Sequence, residues 1–202
     1  MKLHPKHTKR VGCFLRNAAG AAAIEFAFVL PVLLFLFIGM VEMTSALSHD
    51  RRVSKTAFSI ADLVARSDNV TGEMADIEAA IAHLMTPYED AQVEVSVGMV
   101  VIRSNVPEVV WSWGNETDEP WAQGTEPEGV AFANTMRIND QYYVVSTVNF
   151  DYTFMLGQLM SNFSELLTDN AGDFTSISLS DSFILLPRRV SCVEFGNTCA
   201  TY

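Results

Sequence analysis

The chain has 202 residues, 13 Lys and Arg against 24 Asp and Glu, a net charge of −11 and 49% hydrophobic residues. That length suits one domain plus an anchor or stalk, and the hydrophobic content excludes a multi-span transporter. All 24 acids lie after Gly20, and a strongly acidic body repels nucleic acid and carries no basic stripe with which to bind it.

Residues 1–20 hold Lys2, Lys6, Lys9, Arg10 and Arg16 and no acid, which reads as a basic leader retained in the cytoplasm by the positive-inside rule. Phe26 to Val41 is an uncharged run, FAFVLPVLLFLFIGMV, preceded by Glu25. Counted from Ala21 the helix reaches roughly 30 Å by Val41, enough to cross a bilayer core. The predicted membrane helix is 21–43, with Pro31 and Gly39 tolerated as they are in other membrane spans.

No Gly or Pro follows Gly39 until Gly72, so the helix is expected to continue over 44–70 as an amphipathic stalk. Val53, Ala57, Ile60, Ala61 and Val64 recur at helical spacing, with charges on the other faces. The expected end of this helix of nearly 50 residues is about Asp68. Residues 71–202 then form the exported acidic domain.

A second helix is expected over Gly72 to Met85, capped by Thr71 and stopped by Pro87, with Met74, Ile77, Ile81, Leu84 and Met85 on its apolar face. The period changes to two at Val93, Val95, Val97, Met99 and Val101, the mark of a half-buried strand. A hairpin through RSNVP leads to Glu108–Trp113, where Val109, Trp111 and Trp113 alternate with Val110 and Ser112. Gly114 to Gly129 is an acid-rich surface loop in which Trp121 can fold back onto the sheet. Tyr142 to Phe154 is a third strand, Leu156 to Leu167 a short helix and Phe174 to Leu186 a fourth strand ended by Pro187. In that fourth strand Phe174, Ile177, Leu179, Phe183 and Leu185 are the inward candidates, and the alternation slips between Leu179 and Phe183.

The expected fold is therefore α+β: a long N-terminal transmembrane and amphipathic helix packed on an antiparallel sheet of about four strands. Cys192 and Cys199, with six residues between them, either close a small loop on an oxidising side of the membrane or remain two thiols.

Gly20-Ala21-Ala22-Ala23-Ile24-Glu25-Phe26 before an apolar run resembles the processing site of type IV pilins and pseudopilins. The longer string GAAAIEFAFVLPVLLFLFIGMVEMTSAL resembles more closely the TadE-like proteins, minor pseudopilins of the tight-adherence (Flp) pilus. VVWSW, YYVVSTVNFDY and FILLPRR resemble later segments of TadE-like and TadG-like proteins.

The resemblance implies a pilin-like structural protein of the bacterial inner membrane, N-terminus cytoplasmic and C-terminal domain periplasmic. It implies cleavage between Gly20 and Ala21 by a prepilin peptidase, and Glu25, beside Phe26, as a docking charge that pairs with the new amine at Ala21. The implied partners are the membrane, that peptidase, and other pilins and pilus assembly components. An unpaired carboxylate at membrane depth is costly, which is an independent reason for Glu25 to seek a cation. Two other readings compete. One is an uncleaved single-span protein with a ligand- or partner-binding exported domain. The other is a domain released by signal peptidase after Thr44-Ser45-Ala46.

No catalytic constellation is legible: there is no G-x-S-x-G, no HExxH and no calcium-loop spacing among Glu116, Asp118, Glu119, Glu126 and Glu128. No enzyme activity, cofactor or metal is expected, and His4, His7 and Cys13 have no metal-ligand spacing. Trp111, Trp113 and Trp121 are read as packing, the first two on the helix and the third as a lid, in preference to a binding platform.

Overall fold

A computed structural model describes residues 18–85, 93–157 and 175–199. The chain divides into two units, Met1–Ser45 and Ala46–Tyr202. Helix α1, Ala18–Arg66, is 49 residues long and contains Pro31 without ending there. In the first unit its large apolar side chains, among them Ile24, Phe26, Phe28, Leu33, Phe37 and Met40, are exposed.

The second unit is built on the outer half of α1. Val53, Ala57, Ile60, Ala61, Val64 and Ala65 are fully buried, and their three- and four-residue spacing makes one stripe along the helix. The stripe packs with the apolar face of α2, Met74–Met85, and one face of a four-stranded antiparallel sheet. The strands are β1 Val93–Arg103, β2 Val106–Gly114, β3 Tyr142–Thr153 and β4 Ser176–Leu185, in the order β2-β1-β3-β4. The α+β arrangement of a long N-terminal helix and a four-stranded antiparallel sheet is thus the one read from the sequence.

Several local expectations change. The strand expected to be half-buried, β1, is buried on both faces. Its second face, with Val100 and Ile102, joins Val109, Tyr143 and Val145 beneath Trp121, Val130 and Phe132 of the following loop. Gly98 makes room for that cover: a Cβ there would stand 2.5 Å from the Trp111 carbonyl oxygen and 3.2 Å from the Trp121 ring.

The alternation expected in β2 is broken by a bulge. Met99 pairs with Trp111 but Val100 pairs with Val109, leaving Val110 out of register. Val110 consequently joins Trp111 in the main core, while Val109 belongs to the second. The β1–β2 connection is a two-residue turn with Ser104 and Asn105 at φ 51° and 67°, the left-handed pair that suits the twist of a hairpin.

α2 begins at Met74 rather than Gly72, and Thr71 does not cap it. Thr71 sits in a preceding turn, where its Oγ1 accepts a hydrogen bond of 2.9 Å from Gly196 N–H. A residue distant in sequence has taken the oxygen that a helix cap would need. Leu84, assigned to the apolar face, is 37% exposed, and Ile177 of β4 is 45% exposed. In β4 the alternation does not slip. Leu179, Phe183 and Leu185 occupy every second position, with Asp181 between them in the same row. An inward-row carboxylate on an edge strand discourages edge-to-edge pairing. The proposed stop at Pro87, the helix expected over 156–167 beyond Gly157, and Phe174 lie outside the described residues.

After β4 the chain returns to the end of α1. Arg188 N–H donates to Ala65 O at 2.8 Å, Glu194 N–H to Asp68 O at 3.0 Å, and Val70 N–H to Glu194 O at 2.9 Å. Helix C-terminal carbonyls have no partner within the helix, and here the tail satisfies one of them.

Candidate functional site

The site residues drawn from the sequence fall into two places. Gly20, Ala21, Glu25 and Phe26 lie within two turns of α1 in the first unit. Gly20 is exposed, and a Cβ built there meets no atom within 4 Å. Positions 21 and 25 are four apart on the helix, so the backbone nitrogen of Ala21 and the Glu25 side chain lie about one turn from each other. Glu25 is exposed and has no ion pair among the described residues, and Phe26 is 59% exposed.

One helix among the described residues is long and apolar enough to cross a membrane, with a mean hydropathy of 2.6 over its most apolar window and none of that window buried. A bare apolar stretch of this length is unfavourable in water and favourable in lipid, where the helix satisfies its own backbone groups.

Cys192 and Cys199 are joined in the second unit, with sulfurs 2.07 Å apart and Cα atoms 6.0 Å apart. The bond closes a loop in which Gly196 and Asn197 both have positive φ, 61° and 64°. Thr198 Oγ1 donates to Phe195 O at 2.7 Å across the turn.

The three tryptophans are divided between the two cores. Trp111 is buried in the main one, where its Nε1–H donates to Val193 O at 2.8 Å, and Trp113 is half-buried against the same core. Trp121 covers the other face as a lid. Ser112 Oγ donates to Trp121 O at 2.8 Å and stands 3.1 Å from Trp121 N.

Of the histidines on described helices, His83 is exposed. His49 is 6% exposed and stacks on Phe150 at a ring distance of 5.3 Å with Tyr152 at 4.7 Å. Burial, and secondarily the Arg52 charge, holds its imidazole below the ordinary range. Burial likewise raises the Tyr143 phenol, whose hydroxyl donates to Met136 O at 2.7 Å. Among the described residues no group of three His, Cys, Asp or Glu is placed to hold a metal.

One feature had no legible signal in the sequence. Trp113, Asp118, Glu119 and Gln123 meet Phe195 and Thr198 of the disulfide loop around a cleft of about 350 Å³. The two segments are some eighty positions apart, and neither alone has a recognisable motif.

No curated protein and no solved structure matches the chain. Residues 20–62 match the family model described as TadE-like protein. The matched segment includes most of α1, from the exposed apolar helix with Gly20 and Glu25 into the buried stripe of the second unit. The family is of a structural, pilus-associated kind, and the one such apolar helix among the described residues fits single-pass membrane anchoring. Over residues 20–62 the chain is similar to TadE-like proteins.

Proposed function

We propose that the protein is a membrane-anchored minor pseudopilin that takes part in assembling an adhesive Flp (type IVb) pilus. The observation that carries this reading is the continuity of α1 across the matched segment. A membrane anchor needs only the span, whereas this helix runs without a break from Ala18 to Arg66 and becomes the central element of a folded domain.

In this reading the basic leader stays in the cytoplasm, and prepilin peptidase cuts between Gly20 and Ala21. The absence of a side chain at Gly20 favours approach of the enzyme to the scissile bond. Glu25 then pairs with an Ala21 amine, within one chain or across neighbouring subunits, and the apolar helices associate laterally in the inner membrane. The acidic α+β domain faces the periplasm and meets other pilus components.

Intact mass and N-terminal sequencing of the protein from cells with an active prepilin peptidase test the proposal. The expected mature N-terminus is Ala21. Met1 would instead support an uncleaved anchor, and Leu47 a secreted domain.

A further inference from the structure

The cleft beside β2 joins two chemistries in the second unit. Its aromatic side is formed by the half-buried Trp113 and by Phe195, with the buried Trp111 behind them, and its polar side by Ser112, Thr198 and the exposed Asp118, Glu119 and Gln123. Trp111 and Phe195 have ring centres 5.1 Å apart and pack against each other, so the disulfide loop is seated on β2 and closes the inner end of the cleft. Asp118 and Glu119 are exposed, neither has an ion pair among the described residues, and no Lys, Arg or His lines the cleft.

We propose that this cleft binds a cationic side chain, Arg or Lys, presented by a partner polypeptide, and that the Cys192–Cys199 loop holds the cleft in its binding shape. A guanidinium or ammonium is attracted both to the face of an indole and to the carboxylates at its rim. The volume, about 350 Å³, is at the small end of ligand sites and suits one long side chain better than an extended chain of sugars. A calcium ion is a poorer fit, since it takes six to eight oxygen ligands and, among the described residues, no group of three His, Cys, Asp or Glu is placed to hold a metal. Strand addition along β2 is disfavoured because Val109 already bonds the loop, donating to Thr125 O at 2.9 Å and accepting from Gly124 N–H at 2.8 Å. A single inserted side chain is the mode that remains. The site does not depend on the pilus reading, and its test is separate from that of leader cleavage.

The test is titration of the full chain in a non-ionic detergent with the blocked peptide acetyl-Gly-Arg-Gly-amide, followed by tryptophan fluorescence. Acetyl-Gly-Gln-Gly-amide and the neutral sugar chitotriose serve as comparisons. The expected result is a saturable change with the Arg peptide alone, weakened in about 1 M salt, where the Debye length is about 3 Å. Asp118→Asn with Glu119→Gln, exposed and isosteric, should weaken it about tenfold with an unchanged circular dichroism spectrum. Trp113→Ala should do the same. Cys192→Ser with Cys199→Ser should weaken it by a similar factor. An equal response to the Gln peptide, a response to chitotriose that depends on Trp113, or no response to the Arg peptide overturns the proposal. Unchanged binding in the Cys variant overturns the role of the loop.

Discussion

Asp62 on α1 and Arg188 after β4 form an ion pair of 2.7 Å that fastens the returning C-terminal segment to the helix. The same carboxylate holds Arg66, one turn on, at 2.6 Å, and its side chain is only 17% exposed. Arg189 repeats the contact one step further, 3.0 Å from Asp68. Asp62→Ala should lower stability by about 1 kcal/mol, since both guanidiniums are largely in solvent and screened. Urea unfolding of the full chain in detergent at low and high salt measures it, and the deficit should shrink as salt rises. Arg188→Ala should cost less, because its backbone N–H still donates to Ala65 O.

The second core rests on one ring. Trp121 is 5% exposed and lies over Val100, Ile102 and Val145. Trp121→Ala should destabilise by about 3 kcal/mol or more through the cavity it leaves. Gly98→Ala should act on the same contact from beneath and cost on the order of 1–3 kcal/mol, because the added methyl meets backbone that cannot swing aside. Thermal melts of the two single variants and the double variant check both. The double variant should lose less than the sum, as the two changes share a contact.

Opening the link between Cys192 and Cys199 with Ser at both positions should lower stability by about 2–3 kcal/mol at most, the chain-entropy value for so short a loop. The loss should concentrate in the tail, where Gly196 N–H reaches Thr71 Oγ1 and Glu194 bonds Asp68 and Val70. Limited proteolysis should therefore cut near residues 187–199 before it cuts the sheet.

His49 predicts a pH dependence. Burial, then Arg52, favours its neutral form in the folded protein, so its pKa lies below the ordinary 6.5. The unfolded chain takes up the proton first as pH falls, so this contribution to stability is complete above about pH 6.5 and is lost on acidification down to the folded pKa. The melting temperature should drop between about pH 7.5 and pH 5.5. His49→Phe, which keeps a ring against Phe150 and Tyr152, should flatten that part of the curve.

For the proposed docking charge, Glu25→Gln should leave membrane insertion and leader removal intact. It should reduce crosslinking between helices of neighbouring subunits through cysteines introduced near position 25. Undiminished crosslinking would remove the pairing of Glu25 with the Ala21 amine from the proposal.

The long helix and the strand count were legible because both depend on local period. Val53 to Ala65 repeats every three or four residues, and Val93 to Val101 every second one, and those periods decide which face of a helix or strand is apolar. The tight turn at Ser104-Asn105 was legible as a hairpin, since Asn tolerates the left-handed region that such turns require. Gly20 and Glu25 were singled out by resemblance to the processing site of pilins, a resemblance carried by residues within a few turns of one helix.

The bulge at Val110, the second core under Trp121, the loss of Thr71 as a cap and the cleft between Trp113 and Phe195 were not legible. Each arises where segments distant in sequence compete for the same surface or hydrogen bond. A serine at 112 reads as a polar outward residue until the Trp121 backbone arrives to bond it. A threonine at 71 reads as a cap until Gly196 takes its oxygen. By itself the sequence determined an apolar anchor helix continuing as an amphipathic one, four antiparallel strands and an acidic body, because charge and hydrophobic period act locally. Only the tertiary structure decided which faces of the sheet are covered, how the tail locks onto Asp62, and that a disulfide loop stands against β2, because those depend on which distant backbone groups reach each other first.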